Sequence, residues 1–446
     1  MLSPEDFGCI GMLLIFIAIS NTFVDGGFGS ALIQKKEPTD EDYSTVFYWN
    51  IGFSIFLYLL LYFSSPLIAA FYNMPILEKV LKIEGLILII NAGTIVQMNQ
   101  LRKGMMFKKI ALINVVSSIV SVIVAIIYAY YGGGIWALVI QQLLQSVLIL
   151  LLLWVTCKWR PLRSFSVESF KNLFSFGGFI LISNLFITFT NNFKGLLIGK
   201  TFSASTLGYF SQAQKVENVS STSLAAVVEQ VTYPLLVEVK DRPERMQKVL
   251  KLFNIALLAL VMPIMFLMCL LAYPIIEFLF TDKWINSAPI LQVLSIQGIF
   301  ICIQGTSYNA IAALGKSKVL FKWSIIKSLT GFFLLVIGLI IAGFNGILWG
   351  MVIGSCMILL YNLYLVSRYT GYSLGRQIFD LIPVTLAATI PFLCVFSVSI
   401  LFPLSIIENI ILGFMYLICF AAIILIVPIR SFSELKSNII SLLIHK

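Results

Sequence analysis

Long apolar runs, separated by short segments that contain charged, glycine or proline residues, dominate the chain. A helix that crosses a bilayer needs about 20 mostly apolar residues, and most of the runs approach or exceed that length. They predict about thirteen spans, at residues 8–24, 46–71, 83–98, 110–131, 134–157, 175–198, 216–237, 252–280, 285–314, 323–343, 346–367, 380–400 and 406–427. The expected fold class is an all-α polytopic membrane protein.

Composition supports this fold class and excludes others. Of the 446 residues, 59% are hydrophobic and 11% are charged, whereas a soluble domain has about 45–50% apolar and about 25% charged residues. So few charges cannot cover a globular surface, which excludes a soluble enzyme. The single histidine, His445, argues against imidazole catalysis and histidine-ligated metal. The seven cysteines form no CxxC pair, so we predict no catalytic residue, metal or cofactor.

Lysine and arginine residues are distributed unevenly between alternate loops. The chain carries 30 of them against 20 acidic residues, a net charge of +10. When loops are assigned alternately to the two sides of the membrane, 24 of the 30 fall on one side. The positive-inside rule makes that side cytoplasmic, so we predict a cytoplasmic C-terminus and Met1 outside. The charge therefore indicates the lipid bilayer, and not nucleic acid, as a partner.

Weak sequence matches recur in the same order along two parts of the chain. The clearest joins Leu2–Gly8 to Phe202–Gly208, which share an apolar-Ser-x-x-x-apolar-Gly frame. Three further pairs follow, and the offsets of all four drift only from 200 to 214: Pro66-Leu67-Ile68 with Pro274-Ile275-Ile276, Pro75-Ile76-Leu77 with Pro289-Ile290-Leu291, and Phe107-Lys108 with Phe321-Lys322. Residues 2–157 and 202–367 are predicted to be parallel copies of one bundle, an architecture typical of transporters.

The repeat also predicts the domain organisation. The helix at 175–198 opens the second copy, and no equivalent precedes Met1, so the first helix of the first copy is expected to be missing. We expect two six-helix bundles followed by a helix pair. The predicted divisions are an N-terminal bundle at 1–160, a cytoplasmic linker at 161–174, a C-terminal bundle at 175–367, and a terminal helix pair with a cytoplasmic tail at 368–446.

Three segments carry a resemblance to a known family. They are LSPEDFG at 2–8, GGFGSALIQKKEPTDEDYSTVFYWN at 26–50 and KWRP at 158–161. They resemble the polysaccharide-transporter branch of the MOP flippase superfamily, the Wzx-type oligosaccharide flippases, whose members usually carry one more helix upstream of the first segment. The resemblance runs to about Arg368 and implies translocation of undecaprenyl-pyrophosphate-linked oligosaccharide across the bacterial inner membrane, for lipopolysaccharide O-antigen, capsule or exopolysaccharide.

Polar side chains inside the spans are candidates for the transport site, because ionisable groups in a membrane usually face a bundle interior or an aqueous cavity. In the 175–198 span, Lys194 shares a helical face with Asn184, Thr188 and Asn191. Lys194 could instead extend to the outer interface, since Lys200 follows closely. We favour a cavity-lining position for Lys194.

The next span carries a second polar stripe. Lys215, Asn218, Thr222 and Glu229 follow one another at steps of 3, 4 and 7 residues, and Asp25 lies in the equivalent helix of the first copy. Polar faces on matching helices are what a central cavity shared by the two copies requires.

These residue types suit the implied cargo. A lysine offsets part of the cost of moving a pyrophosphate through a medium of low dielectric constant, so Lys194 and Lys215 are predicted to attract it. The side chains predicted to bind sugar hydroxyls through hydrogen bonds are Thr188, Asn191, Asn218 and Thr222. Asp25 and Glu229 are candidates for coupling to Na⁺ or H⁺, although helix capping or a structural ion pair would also explain them.

Functions of other classes stay open at this point. A cation-coupled multidrug exporter or a peptidoglycan-precursor flippase would share the superfamily and the fold. A membrane glycosyltransferase or polymerase is less favoured, because the connections between spans reach only about 20 residues. Such enzymes are instead expected as associated partners of the transporter.

Overall fold

A computed structural model describes the backbone of residues 2–401 and 406–426, with their side chains except those of residues 176, 222, 224–231, 317, 400, 406, 425 and 426. The described residues form helices joined by short turns, with no β-strand among them. Their contacts divide the chain into two compact units, Met1–Gly208 and Tyr209–Lys446. The prediction of an all-α chain is confirmed.

The first unit is built from helices in the order of the predicted spans, with two short helices inserted. They are α1 (Pro4–Asp25), α2 (Phe28–Gln34), α3 (Asp40–Tyr72), α4 (Ile76–Glu84), α5 (Ile87–Lys103), α6 (Phe107–Tyr130), α7 (Ile135–Thr156) and α8 (Val167–Thr201).

Helix α9 begins at the end of the first unit and continues into the second. The remaining elements are α9 (Ala204–Glu238), α10 (Pro243–Leu270), α11 (Ala272–Phe280), a 3₁₀ turn (Asp282–Trp284), α12 (Ser287–Ala313), α13 (Ser317–Thr370), α14 (Leu374–Leu401) and α15 (Ile406–Ile426).

Ten helices in the described part of the chain are long and apolar enough to cross a membrane. An eleventh is added if Val167–Ser175 and Gly177–Thr201, which are bent by 53°, form one span. A multi-pass membrane protein is therefore confirmed, while the count of about thirteen spans stays a prediction.

Helix α13 is a helical hairpin. Its backbone turns at Gly343, which has a φ of +58°. A Cβ atom on Gly346 would lie 1.8 Å from the carbonyl oxygen of Gly338, and one on Gly350 would lie 2.5 Å from that of Leu334. The two halves therefore run antiparallel in backbone contact, which is the helix-packing role of small residues at every fourth position. The break, at Ala342 and Gly343, falls at the end of the predicted span 323–343.

The repeated apolar-Ser-x-x-x-apolar-Gly frame forms the first turns of α1 and α9. Ser3 and Ser203 are the N-caps, which satisfy backbone donors that a helix start leaves without partners. The Asp6 N–H donates to Ser3 Oγ at 3.2 Å, and the Thr206 N–H donates to Ser203 Oγ at 3.1 Å. Both copies of the frame thus start a helix in the same way.

Gly8 and Gly208 bring these two helix starts into reciprocal backbone contact. A Cβ atom on Gly8 would lie 1.8 Å from the Ala204 carbonyl oxygen, and one on Gly208 would lie 1.9 Å from the Pro4 carbonyl oxygen. The repeat offset of 200 relates Gly8 to Gly208 and Pro4 to Ala204, so each glycine meets the residue equivalent to the one that the other glycine meets. The contact therefore has the approximate two-fold form that a parallel repeat produces, and glycine alone fits it.

Helix α8 packs against α1, α2 and α3 of the first unit. A Cβ atom on Gly27 would lie 2.1 Å from the Gly177 carbonyl oxygen, so the backbones touch there. The sequence-based division placed 161–174 in a linker and 175–367 in the second bundle, whereas helix α8 begins at Val167 and lies with the first unit. The assignment of bundles by repeat order stays a prediction.

The segment 26–50 folds into α2 and the start of α3 and packs against the chain that leads into α8. Phe28, Leu32 and Tyr43 are buried there together with Leu173 of α8. The rings of Tyr43 and Trp159 meet edge to face with centroids 5.9 Å apart. We call this group of side chains the α2–α8 cluster.

Hydroxyl groups of α3 bind the backbone that precedes α8. The Leu162 N–H donates to Ser44 Oγ at 2.8 Å, and the Ser166 N–H donates to Thr45 Oγ1 at 3.0 Å. These bonds satisfy backbone donors of a non-helical connection and attach it to α3.

Asp42→Ala is expected to destabilise the first unit by about 3 kcal/mol. The Asp42 side chain is 1% exposed, lies 2.6 Å from Lys35 Nζ, and accepts the Thr39 N–H at 2.8 Å in a capping box. Lys35→Ala is the control and should cost less, because the Lys35 side chain is 41% exposed and Asp42 keeps the Thr39 amide. Thermal unfolding in detergent measures both; equal midpoints for Asp42→Ala and wild type would contradict the prediction.

Helices α14 and α15 pack against α10 in the second unit. Lys251 of α10 lies 3.0 Å from the Asp380 carboxylate of α14, and the Tyr372 hydroxyl donates to the same carboxylate at 2.5 Å. Burial, and then the bond to Asp380, raise the pKa of Tyr372 far above its ordinary value, so the hydroxyl stays a donor. This group attaches the terminal helix pair to α10.

Candidate functional site

Thr188 is the predicted site residue with the clearest polar partner. Its hydroxyl lies 3.1 Å from Thr22 Oγ1 of α1. Because the Thr22 hydroxyl donates to the Ala18 carbonyl at 2.9 Å, Thr188 is the donor to Thr22. Thr188 lies about 20 Å from the C-terminal end of α8, at 1.5 Å per residue. The α8 stripe therefore meets a polar position of α1 well inside α8.

Lys194 and Asn191 lie on the C-terminal side of Thr188 in α8. Lys194 is half-buried within the first unit and Asn191 is exposed. Lys194 lies about 10 Å from the end of α8, whereas Lys200, close to that end, donates to the Phe71 carbonyl at the end of α3. Lys200 thus occupies the helix-end position, and Lys194 lies about two turns deeper.

In α9 the predicted stripe lies on one side of the helix and a buried acid on the other. Lys215 and Asn218 are exposed on the second unit, while Glu217 is 4% exposed. A Cβ atom on Gly298 of α12 would lie 2.5 Å from Glu217 Oε1, next to Met265 of α10. Glu217 therefore belongs to the interior of the second unit, away from the stripe.

Two predicted residues of α9, Thr222 and Glu229, have side chains outside those that the structure describes. Their roles in substrate binding and ion coupling stay predictions. The stripes of α8 and α9 fall in different compact units.

Asp25 lies where α1 ends and α2 begins. Its carboxylate faces the backbone amides of Gly27 and Gly29 and the charge of Arg102. A Cβ atom on Gly29 would lie 2.9 Å from Asp25 Oδ1 and 2.8 Å from the Asn99 amide nitrogen. A carboxylate at the amino end of a helix is a capping arrangement, so the geometry favours the structural alternative for Asp25. An ion-coupling role for it stays a prediction.

Sequence reasoning missed two polar residues that form hydrogen bonds at α1. They are Thr22, which is part of α1, and Asn91 of α5. Thr22 receives the Thr188 hydrogen bond, and Asn91 of α5 donates to Asn21 Oδ1 at 3.3 Å. Each is an uncharged polar residue within an apolar run, 8–24 or 83–98. That signal was present, but the pairing of residues about 70 and 166 positions apart depends on how α1, α5 and α8 pack.

Thr188→Val is expected to change the free energy of unfolding by less than about 1 kcal/mol, since Thr22 keeps its bond to Ala18. A loss of transport in this variant would then report on substrate contact. Thr188→Ser, which keeps the hydroxyl, is the matched control. Thermal unfolding and transport are measured on the same preparations; a large loss of stability in the valine variant would assign Thr188 to the structure alone.

Within the described part of the chain, no group of three or more histidine, cysteine, aspartate or glutamate residues is arranged to hold a metal ion. The described side chains of the two stripes offer electrostatic attraction by lysine and hydrogen bonding by hydroxyl and amide groups.

Comparison with known proteins identifies relatives over most of the chain. Residues 1–289 match the sequence model of a family described as polysaccharide biosynthesis protein. The teichuronic acid biosynthesis protein TuaB of Bacillus subtilis is 28% identical over 67% of this chain, and the match spans 62% of TuaB. The succinoglycan biosynthesis transport protein ExoT of Rhizobium meliloti is 25% identical over 84% of this chain and 74% of its own length. The lipopolysaccharide biosynthesis protein WzxC of Escherichia coli is 21% identical over 79% of this chain and 72% of its own.

Solved structures show the same fold. The lipid II flippase MurJ in an inward closed conformation matches with a TM-score of 0.78 and 19% identity, over 94% of this chain and 92% of that one. An inward-facing multidrug resistance transporter of the MATE family matches with a TM-score of 0.66 and 15% identity, over 83% of this chain and 92% of that one. At these identities the likeness concerns the fold and not the substrate.

Proposed function

The chain belongs to the polysaccharide biosynthesis protein family, a transporter branch of the MOP flippase superfamily, and on that premise we propose that it moves undecaprenyl-pyrophosphate-linked oligosaccharide across the bacterial inner membrane. ExoT is named as a transport protein, and the structural neighbours are named as a flippase and a multidrug resistance transporter. The observation that carries the proposal is the match over residues 1–289 together with relatives named for the biosynthesis of three different polysaccharides.

The polar helices support a lipid-linked, anionic substrate. Lys194, two turns inside α8, would lower the energy of a pyrophosphate in a medium of low dielectric constant. The hydroxyl of Thr188 and the amide of Asn191 would exchange hydrogen bonds with sugar hydroxyls. The isoprenoid tail would stay in the bilayer, and the two predicted bundles would alternate access between the cytoplasmic and the outer side.

The test is a flipping assay on the purified chain in proteoliposomes. The substrate is a fluorescent pyrophosphate-linked oligosaccharide on a polyprenol, offered under imposed Na⁺ and H⁺ gradients, with empty liposomes as the control. Transport of this lipid above the empty liposomes supports the proposal. Efflux of cationic dyes without any lipid transport would favour the multidrug exporter, and selective transport of lipid II would favour the peptidoglycan-precursor flippase.

A further inference from the structure

Glu84 is an acidic residue buried inside the first unit, and the transport mechanism described above does not use it. It is the last residue of α4 and is 1% exposed. Helix α4 packs against α3, α7 and α1. An ionised carboxylate at such a position, without a compensating cation, would cost several kcal/mol or more.

The charged groups nearest in sequence are engaged elsewhere. On α4 itself, Lys82 pairs with Glu78 at 2.6 Å, and Lys79 is exposed. From α3, the Tyr58 hydroxyl donates to the Lys82 carbonyl at 3.2 Å. These groups leave the Glu84 carboxyl without a lysine or arginine opposite it on either element.

The other two elements packed on α4 bring no cation either. Helix α7 contains no charged residue from Ile135 to Thr156. Helix α1 contributes two acids in its first turn, Glu5 and Asp6, and Asp6 accepts from Ser3. The first cation along α5 is Arg102, about 27 Å from Glu84 along the helix axis. The electrostatic surroundings thus disfavour a negative charge.

The hydrogen bonding of Glu84 agrees with this preference. Its Oε2 atom has no hydrogen-bond partner among the described residues, and the Gln142 side chain of α7 faces the carboxyl group. An amide can accept from a protonated acid and donate to an ionised one, so Gln142 can serve both states.

We propose that Glu84, together with Gln142, is a proton-binding site of the first unit, and that loading and release of this proton couples a proton gradient to transport. The coupling part rests on the proposed flippase function; the binding part does not. A proton fits better than Na⁺, because one carboxyl and one amide supply fewer oxygen ligands than a hard cation takes in proteins.

Binding is tested on the intact chain in proteoliposomes with dicyclohexylcarbodiimide, which adds to protonated carboxyl groups in apolar surroundings and is detected on the peptide by mass spectrometry. We expect an adduct on Glu84 that decreases as pH rises, and no adduct at this position in Glu84→Gln. Absence of the adduct in wild type at every pH would overturn the site. Protection by Na⁺ but not K⁺ at constant pH would replace the proton by a cation.

Coupling is tested by transport driven by a pH gradient. Glu84→Gln is expected to lose at least tenfold in gradient-driven transport while retaining exchange of substrate at equal pH. Glu78→Gln, the same change on the same helix, is the matched control and should respond to the gradient as wild type does. Wild-type response in Glu84→Gln would reduce the site to a structural acid. If wild type itself moves no lipid, the proposed function fails, and the labelling still decides the binding site.

Discussion

Gly208→Ala is expected to lower transport roughly tenfold or more, whereas Gly195→Ala leaves it unchanged. A Cβ atom on Gly208 would lie 1.9 Å from the Pro4 carbonyl oxygen, while one on Gly195 comes no closer than 3.8 Å to a neighbour. Overpacking of a tight contact costs about 1–3 kcal/mol, and such a cost shifts a two-state equilibrium by about one to two orders of magnitude. The state in which the first turns of α1 and α9 touch would be depopulated.

Gly195 is a stringent control because it lies on α8, the helix before α9, and gains the same methyl group. Both substitutions increase intrinsic helix propensity by about 1 kcal/mol, so a general effect on helix stability would appear in both. Gly8→Ala should reproduce the defect from the other side of the contact, since its Cβ atom would lie 1.8 Å from the Ala204 carbonyl oxygen.

A cysteine introduced by Ala204→Cys reports on the contact directly, because Ala204 is buried. Its labelling by a membrane-impermeant maleimide, read on the isolated peptide, should increase when Gly208→Ala is added and stay low with Gly195→Ala. Transport and labelling as in the parent for Gly208→Ala would show that the contact takes no part in the cycle.

The positions of the helices could be predicted because each depends on local sequence. Apolar runs of spanning length, interrupted by charged or glycine-containing turns, are sufficient to place a membrane helix. The α13 hairpin illustrates this: the turn at Gly343 lies between two apolar runs, and Gly346 and Gly350 mark the face on which the halves meet. The repeated serine and glycine of the first frame predicted two copies of one bundle but not the helix starts, since the predicted spans begin at 8 and 216. Ser3 and Ser203 cap helices that begin at Pro4 and Ala204.

The neighbours of α8 could not be predicted in this way. Repeat order predicts that α8 opens the second bundle, which stays a prediction, and it gives no information on the packing of α8 against α1, α2 and α3. Those contacts use the glycine backbone at Gly27 and Gly177 and the aromatic side chains of the α2–α8 cluster, and neither feature has a periodic signature. The segments that resemble the family are explained by this packing: Trp159 of KWRP contacts Tyr43, and Arg160 donates to the Trp154 carbonyl at the end of α7 at 2.7 Å.

The residues of the candidate site stay predictions from the sequence, and the sequence did not indicate their partners. Helical spacing alone placed Thr188 and Lys194 on one face of α8, whereas the bond from Thr188 to Thr22 needs the tertiary fold. Glu84 lies in the predicted span 83–98, and the sequence alone does not show whether it faces lipid or protein; its burial depends on the packing of α4 against α3 and α7.

Lys194→Ala is expected to lower transport of the pyrophosphate-linked lipid at least tenfold, while Lys194→Arg keeps most of it. Two unit charges about 4 Å apart interact by about 4 kcal/mol at an effective dielectric constant of 20, and each 1.4 kcal/mol corresponds to about a factor of ten. Even a third of that interaction therefore suffices for the expected loss. Arginine retains the charge and binds phosphate oxygens through two N–H groups. Initial flipping rates in proteoliposomes measure the effect.

Lys200→Ala separates loss of charge on α8 from loss of substrate contact. Lys200 lies six residues further along the helix and donates to the Phe71 carbonyl, so its removal should lower the unfolding temperature and leave the dependence of rate on substrate concentration unchanged. Lys194→Ala should instead require higher substrate concentration or lower the maximal rate without a matching loss of stability. Full transport activity of Lys194→Ala would contradict the proposed contact between Lys194 and the substrate. An equal loss of transport in Lys200→Ala would mean that the charge of α8 acts through the bilayer interface and not on the substrate.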